Sequence, residues 1–79
     1  MQSIGQRVRE LRKERGLPLD VLAYKARCGN RTLILLECWN LPPRRRDVRE
    51  RIADALGVSY EELWGELEQQ AQQGGATQS

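Results

Sequence analysis

Residues 19–38 read LDVLAYKARCGNRTLILLEC, and the fold of the chain turns on how this stretch is divided. Leu22, Ala23 and Ala26 recur at helical spacing and give a first short helix, over 19–26, an inward face with two small members. Small side chains on that face let a neighbouring helix approach closely. Pro18 suits the first turn of this helix, where a missing N–H is harmless. Arg27-Cys28-Gly29 interrupts the pattern, and Asn30 is a good N-cap for a second helix over about 30–38, with Leu33 and Leu36 facing inward.

The same grammar extends in both directions. Upstream, Ile4, Val8 and Leu11 form a stripe at i, i+4, i+7, Ser3 with Gln6 makes a capping box, and Gly16 can take the left-handed position after a helix over about 3–15. Downstream, Pro42-Pro43 closes the central pair. Val48, Ile52 and Leu56 then mark a helix from about 46 or 47 to 56, stopped by Gly57. Ser59 and Glu62 open a last helix whose Tyr60, Leu63, Trp64 and Leu67 share one side. No stretch alternates as a strand would. The expectation is an all-α fold, a compact bundle of about five short helices occupying residues 1–68. A disordered tail over 69–79 follows, where Gln, Gly and small residues supply no anchoring bulk.

Composition narrows the function. A chain of 79 residues has room for one modest core, and 39% hydrophobic with 30% charged residues suits a soluble globular protein. The longest aliphatic run, Leu33-Ile34-Leu35-Leu36, is far too short to cross a bilayer. Arg7, Arg9 and Glu10 stand where a secretory leader needs an apolar stretch. With no histidine and only Cys28 and Cys38, neither a zinc finger nor a histidine-based catalytic group can be built, and both cysteines read as reduced cytosolic thiols. There is no glycine-rich phosphate loop and no clustered nucleophile and base, so an enzyme is not expected, and no cofactor or metal with it. The overall +2 charge conceals a division: residues 1–51 hold all thirteen basic residues against six acids, net +7, while the remainder holds five acids and no base. Such polarity fits one face meeting a polyanion.

Two short helices joined by a turn of three or four residues match the helix-turn-helix plan, in which the second helix enters the major groove of DNA. Here the chain resembles a known family. IGQRVRELRKERGL from Ile4, followed by LAYKA, RTLILLE and RIADALGVSYEELW, looks like the Cro/CI-type (XRE-like) helix-turn-helix regulators of phage and bacteria, over residues 4–64. The match rests on several residues at fixed spacing: Ala23 at the close helix crossing, Leu33 and Leu36 in the recognition helix, Glu37 after them, and the close from Ala55. The resemblance implies a lambda-repressor-like domain acting as a cytoplasmic, nucleoid-associated transcriptional regulator, for instance a repressor, as a homodimer on double-stranded DNA. It also implies an ion pair between Arg12 late in the first helix and Glu37, locking the recognition helix against helix 1.

With Leu33 and Leu36 inward, about 100° per residue turns Arg31, Ile34, Leu35 and Cys38 outward. Arg31 suits a phosphate or a guanine edge, Asn30 a phosphate or an adenine, and Thr32 shares their first turn. Ile34 and Leu35 cannot hydrogen-bond a base, although they can pack against thymine methyls. Arg44, Arg45 and Arg46 stand where the family meets the phosphate backbone, and Asn40 can add a neutral contact. Tyr60, Trp64 and Leu67 on the last helix are the expected dimer surface.

Departures from the family pattern carry an alternative. Relatives usually place polar residues where Ile34 and Leu35 stand, a glutamine at Leu19, a glycine at Arg27 and an apolar residue at Arg49. Gly29 is expected to supply the left-handed residue in place of Arg27, and Arg49 to snorkel. The apolar outer face of Ile34, Leu35, Cys38 and Trp39 also suits a protein-interaction module that binds another regulator or a second copy of the chain.

Overall fold

The capping residues fix where each helix starts. In a computed structural model, which describes residues 3–76 and side chains as far as Glu68, the order is α1 (Ile4–Glu14), α2 (Leu19–Ala26), α3 (Asn30–Trp39), α4 (Arg46–Leu56) and α5 (Tyr60–Ala76). Ser3 and Gln6 exchange both hydrogen bonds of the capping box at the start of α1, and Ser59 and Glu62 do the same before α5. The bundle is all-helical, with no strand among the described residues. No described helix is long and apolar enough to cross a membrane.

Helix ends follow one device used three times. After α1, α2 and α4 the chain passes through a left-handed residue, and the N–H beyond it returns to a carbonyl five residues back: Leu17 to Arg12, Cys28 to Ala23, Val58 to Ala53. Leu17, Cys28 and Val58 each pack a half-buried side chain on the core, the apolar contact that accompanies this type of helix stop. Gly16 and Gly57 hold the left-handed position at two of the stops, as their lack of Cβ allows. At the third it is Arg27, with φ of 54°, and not Gly29, whose φ of −79° makes it the extended N-cap of α3. The turn is therefore not shifted toward Gly29: Arg27 itself takes the conformation that glycine takes in the expected family. Asn30 is correspondingly the first helical residue rather than the cap.

Val8, Leu22, Leu33, Leu36, Ile52, Leu56 and Trp64 are fully buried and form the centre of the core. Ala23, Ala26 and Ala53 line the contact of α2 with its neighbours, and α2 packs mainly against α4. α1 lies against α3 and α5. The core thus comes from five amphipathic faces, each spaced as the sequence indicates. α5 is assigned as helix to Ala76, past the point where apolar anchoring ends; residues 77–79 and the side chains beyond Glu68, on which the expectation of a disordered tail falls, lie outside the described residues.

Candidate nucleic-acid interface

The position of α3 is set by its inner face. Leu33 and Leu36 are fully buried, and Gly5 of α1 sits so close beneath α3 that a Cβ there would stand 2.3 Å from the Leu36 carbonyl oxygen. Only glycine permits this approach. The Arg12–Glu37 pair forms as the family resemblance implies, in forked geometry: Nε to Oε2 at 2.9 Å and Nη2 to Oε1 at 3.0 Å. The remaining Nη1 donates to the Leu17 carbonyl, and the two side chains are only 13% and 3% exposed. A buried pair with its hydrogen bonds satisfied fixes the orientation of α3 against α1.

Asn40 adds a third clamp. It closes α3 in the left-handed conformation that asparagine tolerates, with φ of 56°. Its side-chain oxygen accepts from the Gly5 N–H at 2.9 Å, so it caps α1 while ending α3. That oxygen is therefore committed inside the chain, while the amide N–H groups of the exposed Asn40 have no partner among the described residues. A glycine inside an amphipathic helix was the available signal for this junction; nothing in the sequence singled out Asn40 as its partner.

The outer face of α3 differs in kind. Arg31 is exposed and has no hydrogen-bond or ion-pair partner among the described residues. Ile34 is 42% exposed, Leu35 half-buried, Cys38 and Asn30 exposed, and Thr32 intermediate. Trp39 and Leu41 follow at 68% and 56% exposure. Cys28 and Cys38 are free thiols, and burial pushes the Cys28 thiol up despite the opposing charge of Arg51. The charges on α3 run against its dipole, since Arg31 lies in the first turn and Glu37 near the last. Arg12 offsets the second of these; nothing in the described chain offsets the first.

The arginines after α3 divide into open and occupied. Arg44 is exposed and without a partner among the described residues. Arg45 forks onto Asp47 at 2.9 and 3.1 Å, and Arg46 meets Glu50 at 3.4 Å and Glu68 at 3.9 Å while lying 4.5 Å from the centroid of the Tyr60 ring. Desolvation opposes it, but the hydrogen bonds and charges of Arg51 and Arg45 together hold the Asp47 carboxyl below its ordinary range. These exposed pairs are weak enough to exchange partners with a phosphate. Of the expected cluster, Arg44 alone offers an uncommitted cation.

Arg49 and Arg51 act inside the fold. Arg49 does not snorkel: its Nε donates to the Pro43 carbonyl at 2.6 Å, its Nη1 meets Glu68 at 3.4 Å, and its guanidinium lies 5.6 Å from the Trp64 ring centroid. Arg51 donates to the Ala26 carbonyl at 2.9 Å, tying α4 to the end of α2 just before the turn. The expected dimer surface is corrected at Trp64. Trp64 is fully buried, with its indole N–H on the Arg49 carbonyl at 2.9 Å, because its ring completes the core. Leu67 packs half-buried on that core, and the Tyr60 hydroxyl donates to Glu68. Burial and that carboxylate raise the Tyr60 pKa.

No family profile, curated protein or solved structure matches this chain, so its own geometry carries the functional argument.

Proposed function

We propose that the chain is a double-stranded DNA-binding domain of the Cro/CI-like type, a transcriptional regulator without catalytic activity, with α3 as its major-groove element. One observation carries this reading: α3 is held rigidly from one side by Leu33, Leu36, Gly5 and the Arg12–Glu37 pair, while Arg31 on the other side has no partner among the described residues. A helix so mounted has an exposed arginine shortly before it in the chain, Arg27, and another shortly after it, Arg44. Major-groove recognition has this form, in which phosphate contacts set register and the helix faces base edges.

A single domain of this size covers one half-site, which favours a homodimer on a palindromic operator. With Trp64 committed to the core, the dimer surface lies elsewhere than the inner face of α5. The role places the protein in the bacterial or phage-infected cytoplasm. Titration of the purified chain against random duplex DNA tests the reading. Binding should weaken steeply with salt, with a slope of about −0.9 per neutralised phosphate, and Arg44→Ala should reduce the slope by about one. Salt-independent binding, or none, overturns it.

The exposure of Trp39 and Leu41 favours a second reading, a protein-interaction module using Ile34, Leu35, Cys38 and Trp39. Ile34→Ser with Leu35→Ser separates the two. Loss of self-association or partner binding with DNA binding retained supports the interaction module, and the converse supports the regulator.

A further inference from the structure

The outer face of α3 is unusual for a groove-reading surface in what it lacks. From Arg31 through Ile34 and Leu35 to Cys38 the helix rises by seven residue steps, about 10 Å along its axis or roughly three base-pair steps. Past Arg31 this row contains no side chain that donates or accepts a strong hydrogen bond, a thiol being a weak donor at best. Facing guanine, adenine or cytosine, such a row would strip water from polar base edges and return nothing. Thymine is different, because it projects a C5-methyl into the major groove beside its single acceptor.

Resting on the DNA-binding reading above, we propose that the outer face of α3 selects thymine by its C5-methyl group, with Ile34 as the principal contact and Leu35 at its flank. Charge settles which occupant suits this apolar strip. Lys25, Arg27, Arg31 and Arg44 are exposed and have no partners among the described residues; Arg31 stands on α3 itself and the other three flank it in the chain. Residues 1–51 carry net +7. An uncharged apolar protein surface would leave these cations unanswered; a duplex answers them with phosphate and meets the strip with methyl groups. Ile34, at 42% exposure, is seated firmly enough to hold its place and still has area left to bury.

The test uses one atom group. The tightest-binding duplex of about 20 base pairs is selected from a random pool and resynthesised with deoxyuridine replacing thymidine one position at a time. Uracil keeps the pairing, the O4 acceptor and every phosphate, and removes only the methyl. At one or more positions the substitution should weaken binding about fourfold, the equivalent of about 0.8 kcal/mol for one buried methyl-sized group. The Ile34→Ala protein should show a thymine-to-uracil ratio near one at that position, with an unchanged salt slope and helical circular dichroism. If every uracil duplex binds as well as its parent while salt dependence persists, the methyl reading is overturned and the DNA-binding reading stands. If no duplex is bound at any salt concentration, both fall together.

Discussion

α3 has two faces built on opposite principles. Toward the bundle every group is assigned: Leu33 and Leu36 fill the core, Glu37 is forked by Arg12, and Asn40 closes the helix while capping α1 at Gly5. Away from it, Arg31 has no partner among the described residues, and Ile34, Cys38 and Trp39 stand exposed. Both faces lie on one ten-residue helix, so the contrast cannot come from helix propensity. It shows a division of labour in which the inner face removes the freedom of α3 to rock or slide, and the outer face is left for something the chain does not supply. A recognition element needs both, because a contact surface held loosely loses affinity to ordering.

The largest effect should come from breaking the inner face at its ion pair. Glu37→Ala leaves the Arg12 guanidinium buried and uncompensated, and urea unfolding should show a loss of about 3–5 kcal/mol. Replacing both partners, Arg12→Met with Glu37→Leu, should recover most of that loss, since the cost lies in the orphaned charge. A double variant as unstable as the single would mean that the pair contributes more than charge balance. Gly5→Ala is next. Its Cβ would press on the Leu36 carbonyl, a backbone atom that cannot swing aside, so α1 and α3 must separate. The better helix propensity of alanine, about 1 kcal/mol, offsets only part of the strain. A net loss of about 1–3 kcal/mol is expected, and each kcal/mol should lower Tm by roughly 4–8 °C in calorimetry.

These two positions also show what the sequence made legible. Apolar periodicity and capping residues located the starts of all five helices and the ends of the first four to within about a residue, because burial of one stripe and satisfaction of terminal N–H groups are local demands written in local residues; α5 runs on to Ala76, beyond its last apolar anchor. Leu33 inward and Arg31 outward followed from the same geometry. The Arg12–Glu37 pair came through the family resemblance, and the structure forms it. What stayed hidden was contact across long sequence separation: Asn40 with Gly5, Arg49 with Pro43 and Glu68, Arg51 with Ala26. A charged or polar side chain reads the same in sequence whether it faces solvent or an orphan carbonyl, and only the packed bundle decides. Trp64 was misread for the same reason, an aromatic on an amphipathic face being equally suited to a core or an interface.

The turn between α2 and α3 joins the two faces, and its expected effect is smaller and of opposite sign. Arg27 holds a left-handed conformation that costs a residue with a Cβ about 1–2 kcal/mol, where Gly16 and Gly57 hold the equivalent positions freely. Arg27→Gly should therefore stabilise the protein, but only by about 0.5–1 kcal/mol, because glycine also gains freedom in the unfolded chain. A destabilised variant would show that the Arg27 side chain does work in the free fold. If stability rises and duplex affinity falls, Arg27 is a strained residue retained for its charge.

Arg31→Ala should barely change stability, and this gives the sharpest test of the outer face. A cation in the first turn of a helix opposes the dipole, and Arg31 has no carboxylate partner among the described residues to offset it. Its removal should leave unfolding free energy within about 0.5 kcal/mol of the parent, on the stabilising side if it moves at all. The same cation becomes well placed once an anion approaches, because the phosphate then meets both the guanidinium and the open N–H groups of the helix start. Duplex affinity should fall by about tenfold or more, consistent with about 1–3 kcal/mol for an arginine at a phosphate or guanine. Full affinity in this variant would move recognition off the outer face of α3, whereas lost stability would mean that Arg31 belongs to the fold after all.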